Sequence, residues 1–176
     1  MEDPRLQVVE HPVLADRLCV LRDRATPHGA FRLALHEASA IVAIEATRDL
    51  PTRDERIETP LEAVTAQRLR GEVAVVPVLR AGLAMVEGFL SLLPDARVGH
   101  LGLQRDEDTL TPRGYFERLP ADLGAAHTFV LDPMLATGGS AVHALDRLTE
   151  VGARQLRLVC LVAAPEGVAA VHERHP

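Results

Sequence analysis

The stretch Phe129-Val-Leu-Asp132-Pro133-Met134-Leu135-Ala136-Thr137-Gly138-Gly139-Ser140 concentrates the residue types best suited to chemistry. An acid ends an apolar run, and Thr-Gly-Gly-Ser then opens a segment of helical pattern. Consecutive backbone N–H groups at the start of a helix form an anion site, and the helix dipole strengthens it. Glycines let the backbone approach the anion closely. The hydroxyls of Thr137 and Ser140 add donors. Asp132, at the carboxyl end of a strand, can accept hydrogen bonds from a vicinal diol. A phosphate cradle and a diol acceptor on one loop describe a site for a ribose 5-phosphate. A plain βα turn with an Asp and a Gly-Gly hinge would carry the same residues.

The elements that must position this loop follow from the apolar pattern. Val73-Ala-Val-Val-Pro-Val-Leu79 is a continuous apolar run, as in a strand buried on both faces. Helical spacing follows over 83–93, then strands over 98–103 and 128–132. The Gly-rich loop spans 133–139, with a helix over 140–151, a strand over 156–164 and a last helix over 165–173. Strands alternating with helices predict a doubly wound, mostly parallel α/β sheet. Residues 1–52 read as N-terminal helices, over 12–25 and from Pro27 to about Arg48, the second with Thr26 as its N-cap. Phe31, Leu35, Ala38, Ile41, Val42 and Glu45 mark one side of that second helix. Residues 53–70 read as an extended arm and 71–176 as the parallel-sheet core. Residues 104–118, charged and turn-rich, read as a long loop.

Composition removes several alternatives. The 176 residues suit one domain, and the net charge of −6 argues against a nucleic-acid partner. There is no lysine, so neither a Gly-Lys-Ser/Thr phosphate loop nor Schiff-base chemistry is available. The three serines lie outside any Gly-x-Ser-x-Gly, and no His-Glu-x-x-His occurs. Cys19 and Cys160 are far apart, which argues against a disulfide framework. No apolar run reaches the roughly 18–20 residues of a membrane span. A cytoplasmic location is expected.

The string Asp132 to Ser140 resembles the phosphoribosyl-diphosphate loop of uracil phosphoribosyltransferases, a branch of the type I phosphoribosyltransferases. Val76-Pro-Val-Leu-Arg80-Ala-Gly-Leu83 resembles the family's pyrophosphate loop. Gly102-Leu-Gln-Arg105-Asp-Glu-Asp-Thr-Leu resembles the start of its mobile loop. Glu45-Ala-Thr-Arg-Asp-Leu50 and Leu161-Val-Ala-Ala-Pro-Glu-Gly167 match in the same order. The resemblance implies transfer of phosphoribosyl from 5-phosphoribosyl 1-diphosphate to uracil, giving UMP. Asp132 would hold the ribose hydroxyls and Ala136 to Ser140 the 5-phosphate. Arg80 and Arg105 would neutralise the diphosphate, Arg105 as a clamp. Asp106, Glu107 and Asp108 remain solvated. Pro133 stands where many relatives have a second acid, so magnesium is expected on the diphosphate rather than on direct protein ligands. A homodimer or higher homo-oligomer and activation by GTP are also implied.

The resemblance further implies a Gly-Leu-Gly-Asp-Ala type segment after His175-Pro176 that contacts uracil. Residues 1–176 by themselves are therefore expected to lack this C-terminal hood, to bind the donor with magnesium and to make little UMP. Two alternatives stay open: an RNA-binding pyrimidine-operon regulator of the same fold, and an inactive fragment that dimerises through 53–68. A non-proline cis peptide is expected within Leu79-Arg80-Ala81. Gly138→Val is expected to abolish donor binding with the fold intact.

Overall fold

In the computed structural model, residues 5–105 and 112–176 are described. Two helices come first, α1 (Pro12–Arg22) and α2 (His28–Ala46), then the strands β1 (Thr52–Glu58), β2 (Ala63–Leu69) and β3 (Val73–Leu79). Helix α3 (Leu83–Leu90), the short β4 (Arg97–Val98), β5 (His100–Arg105) and β6 (Pro112–Arg118) follow. A 3-10 turn at Leu123–Ala125 leads to β7 (His127–Leu131), β8 (Met134–Leu135) and α4 (Gly139–Glu150). Strands β9 (Gln155–Val159) and β10 (Val162–Ala163) and helix α5 (Pro165–Arg174) complete the described residues.

The main sheet has the order β6-β5-β3-β7-β9, with β4 beside the first half of β3. In this sheet β3, β4, β5, β7 and β9 run parallel to one another, and β6 runs antiparallel to β5. Both faces are covered, which is why β3 reads as an unbroken apolar run and β7 ends on Phe129-Val-Leu131. Val75, Phe129, Leu131 and Val159 pack under α1, α2 and α3. Ala74, Val76, Val78, Leu101 and Val130 pack under α4 on the other face. The expected doubly wound α/β architecture is therefore present.

Several boundaries differ from the expectation. Residues 112–118 are the edge strand β6, paired with β5, where a loop was predicted. Residues 114–118 of it are exposed, so no apolar alternation marks it. Thr26 does not cap α2. Its hydroxyl donates to Val20 O at 2.7 Å, closing the turn after α1, and Pro27 occupies the cap position. The buried stripe of α2 is Ala34, Leu35, Ala38, Ser39, Val42, Ala43 and Ala46, and Phe31 is exposed. Small residues on that stripe let α3 approach closely. Met134 and Leu135, predicted as loop, pair in parallel with β10.

Strands β1 and β2 form an antiparallel hairpin with one register throughout, Thr52 opposite Leu69 to Glu58 opposite Ala63. Asp54 accepts from Gln67 and Glu55 from Arg68 across it. Leu61 at its tip is 96% exposed.

Phe129 sits at the middle of the α3-side core. It is 1% exposed, its ring lies 5.7 Å from that of Phe89, and Arg157 covers it at 5.9 Å. Arg157 also donates to Asp49 at 2.7 and 2.9 Å, tying the end of α2 to β9. Phe129→Ala is therefore expected to remove about 3–5 kcal/mol of stability, read by urea denaturation. A loss below about 1 kcal/mol would contradict this packing.

Candidate active site

The geometry of the site follows from where consecutive crossovers part. Strands β3 and β7 are paired neighbours, with Pro77 opposite Leu131. From β3 the chain crosses by α3 to β4 and β5 on one side. From β7 it crosses by α4 to β9 on the other. The two helices cover opposite faces. A crevice must open between the diverging loops, outside the carboxyl ends of the two strands. Arg80 is the first residue after β3 and Asp132 the first after β7. The sequence-predicted residues Arg80, Asp132 and Pro133 to Ser140 therefore converge on one crevice.

On the β3 side, the Leu79–Arg80 peptide is cis, at the expected place. The chain then turns tightly into α3, and Gly82 N–H donates to Val78 O at 2.9 Å. Gly82 has no room for a side chain, because Leu131 O of β7 occupies that space. The turn is thus pressed against the strand that carries Asp132. Arg80 is exposed, and its side chain makes no hydrogen bond or ion pair to a described residue.

On the β7 side, Asp132 N–H donates to Val159 O at 3.2 Å, and its carboxylate Oδ1 accepts from Met134 N–H at 3.4 Å. Burial pushes the Asp132 carboxyl above its usual range, against the smaller opposing effect of the Met134 N–H. Cys160, next along β9 after Val159, is its lateral neighbour. Burial, and then the Asp132 charge, push the Cys160 thiol up to about 12. This thiol is protonated at neutral pH and is no nucleophile.

The loop after β7 is held from below by β10 and α5. Leu161 and Val162 N–H donate to Pro133 O at 3.1 and 3.2 Å, and Ala164 N–H to Leu135 O at 2.8 Å. Gly138 has φ +86°, the left-handed region that disfavours a side chain. A Cβ there would lie 2.9 Å from Ala170 Cβ and 3.0 Å from Gly167 O. This corrects one expectation: Gly138→Val would force α5 off the loop, so it tests folding together with binding. None of the N–H groups of Thr137, Gly138, Gly139 and Ser140 donates to a described backbone carbonyl. Ala136 and Thr137 are exposed, and Ser140 is half-buried in the first turn of α4.

Arg105 is the last residue of β5, and its side chain lies outside the described residues, as do Asp106, Glu107 and Asp108. The supports β10 and α5 and the neighbour Cys160 had no role in the sequence reading beyond the segment Leu161–Gly167. The signal available there was Gly167 within the first turn of a helix, where Ala136 O fills the place of a Cβ.

A model of the family described as uracil phosphoribosyltransferase matches residues 8–176. The chain belongs to the uracil phosphoribosyltransferase family. A relative of that name from Salinibacter ruber is 53% identical over 169 residues, covering 96% of this chain and 80% of the relative. Another from Symbiobacterium thermophilum is 50% identical over 173 residues, covering 98% and 83%. A solved structure of an Aquifex aeolicus protein aligns with TM-score 0.88 at 33% identity, over 95% of this chain and 80% of that one. A hypoxanthine-guanine phosphoribosyltransferase from Bacillus anthracis aligns with TM-score 0.55 at 14% identity, over 77% of this chain and 69% of that one. At that identity the likeness speaks for the fold alone. As a member of the uracil phosphoribosyltransferase family, the chain has the type I phosphoribosyltransferase fold.

The raised carboxyl of Asp132 has a stability consequence of definite sign. Its charged form is penalised by folding, so ionised Asp132 destabilises the protein above its folded pKa. That penalty vanishes once the pH falls below the unfolded value of about 3.9. Asp132→Asn is expected to be more stable than the wild type at pH 7, with the gain shrinking toward pH 4. Denaturation at both pH values reads this, and a difference independent of pH would contradict the burial of a charged carboxyl.

Proposed function

We propose that the crevice binds 5-phosphoribosyl 1-diphosphate and that N1 of uracil displaces the diphosphate, giving UMP. The observation that carries this reading is the convergence in one crevice of three groups, of which only the Asp132 carboxylate has a described partner, the long bond from Met134 N–H. They are the Asp132 carboxylate, the N–H groups of Thr137 to Ser140, and the exposed Arg80 guanidinium. A ribose diol, a 5-phosphate and a 1-diphosphate are the complementary ligand groups.

Each residue then has a physical task. Asp132 accepts hydrogen bonds from the ribose hydroxyls and, as an anion, stabilises positive charge building on the ring. The N–H groups of 137–140 and the start of α4 hold the 5-phosphate. Arg80 offers paired, charge-assisted donors to the diphosphate. Arg105, at the end of β5, is assigned the same leaving-group role from its place in the sequence. The C1–oxygen bond breaks, the C1–N1 bond forms, and the N1 proton leaves to water. With no covalent nucleophile, the protein contributes positioning and electrostatics.

A magnesium ion fits this donor set as part of the diphosphate. Asp132 is followed by Pro133, and no group of three His, Cys, Asp or Glu side chains comes together among the described residues. When bound, the ion neutralises charge on the leaving group.

Given donor and magnesium with either uracil or hypoxanthine, whatever nucleotide the protein forms, however little, is expected to be UMP. Formation of inosine monophosphate instead would overturn the reading of the base. Arg80→Ala is expected to weaken donor binding about tenfold or more by calorimetry, the loss of a hydrogen-bonded charge, with Arg80→Lys in between. Donor affinity unchanged in Arg80→Ala would remove Arg80 from the site.

A further inference from the structure

The β5–β6 hairpin carries an aromatic side chain that the reaction described above does not use. Gly102 of β5 pairs with Leu79 of β3 on one side and Phe116 of β6 on the other. The register shifts at that point. Leu103 pairs with Gly114, so Tyr115 is the extra residue of a β-bulge. Bulges re-aim side chains and recur beside active sites.

The direction of that re-aiming can be read from the neighbours. Leu101 and Leu103 pack toward α4, and Glu117, opposite Leu101, accepts from Arg147 of α4 at 2.6 and 2.8 Å. Gly102, between them, opens on the α3 face. A Cβ on Gly102 would lie 2.8 Å from Tyr115 Cζ and 3.0 Å from Tyr115 Cε1. The tyrosine ring therefore lies over the bare backbone of Gly102, one strand away from Leu79–Arg80. Because β6 runs against β5, Tyr115 lies on the carboxyl side of the Gly102 level. That is the side on which Arg80 leaves β3. Tyr115 is 51% exposed, and its hydroxyl makes no hydrogen bond to a described residue. A phenol held by ring packing with its donor unspent is suited to an anionic ligand oxygen.

We propose that Tyr115 contacts the donor, its hydroxyl donating to the diphosphate beside Arg80, with Gly102 kept bare so that the ring can reach it. This rests on the reading of the crevice as the phosphoribosyl-diphosphate site. The residue is one for the leaving group, so it acts on the donor and the diphosphate product and not on the base. An aromatic side chain that only covered Gly102 would need no hydroxyl, and phenylalanine would serve as well.

Tyr115 is the single tyrosine of a chain without tryptophan, so tyrosine fluorescence reports on it alone. Titration of the protein with magnesium and donor is expected to change that emission saturably, in step with binding heat. Inorganic diphosphate with magnesium should do the same. Tyr115→Phe is expected to bind donor about tenfold more weakly, the loss of one hydrogen bond to a charged group. The uracil KM should stay unchanged. Gly102→Ala, which keeps the hydroxyl but displaces the ring, is expected to weaken donor binding as well. Constant emission while calorimetry records donor binding, or wild-type donor affinity in Tyr115→Phe, would overturn the assignment of Tyr115 alone. Absence of donor binding by the wild-type protein would instead overturn the reading of the crevice, and this inference with it.

Discussion

The parallel pairing of β3 with β7 is the constraint on which the rest depends. Each strand is apolar on both sides because helices cover both faces of the sheet. Each feeds a crossover that leaves in the opposite direction. Two strand ends that lie side by side thus send their chains apart, and the backbone cannot close the gap between them. Arg80 and Asp132 lie on either side of that gap, and the pressure of Gly82 against Leu131 O keeps the two edges in contact. Burial of the core and creation of the crevice are consequences of one topology.

The loop on the β7 side is rigid for a separate reason. The two-residue ribbon of β8 and β10 supplies hydrogen bonds on one side of it, and Gly167 and Ala170 of α5 fill the space beneath Gly138. These contacts fix the loop, while the N–H groups of Thr137 to Ser140 donate to no described backbone carbonyl. Preorganised, unspent donors of this kind are what an anion site requires, since no reorganisation is needed when the anion arrives. The half-buried carboxylate of Asp132 belongs to the same design. It is held in an environment that disfavours its charge, and a ligand bearing hydroxyl donors relieves that disfavour. On the proposed reading, stability is given up locally for a carboxylate kept available to a ligand.

Much of this was legible in the residues. Val73 to Leu79 announced a buried strand by unbroken apolarity, and the glycines and hydroxyls of Asp132 to Ser140 marked a candidate anion loop. The proposed site draws on residues close together in sequence, which is why a candidate could be named before the fold was known. What was hidden depends on pairing. Strand β6 is an exposed edge with a bulge at Tyr115, so neither alternation nor apolarity marks it. The ribbon of β8 with β10 is too short for any period. Thr26 has the composition of a cap, yet its hydroxyl serves Val20 O because the turn between α1 and α2 needs closing. Gly138 was read as a glycine for its ligand, and the packing of α5 beneath it is invisible without the fold.

The central claim is that the N–H groups between Thr137 and Ser140 hold a phosphate at the switch point of the sheet. Backbone amide NMR during titration with ribose 5-phosphate tests it most directly, because that ligand carries the 5-phosphate without the diphosphate. The account predicts saturable shifts centred on Thr137, Gly138, Gly139 and Ser140, with little change in the β1–β2 hairpin. Saturable shifts elsewhere, with those four amides unmoved, would contradict it.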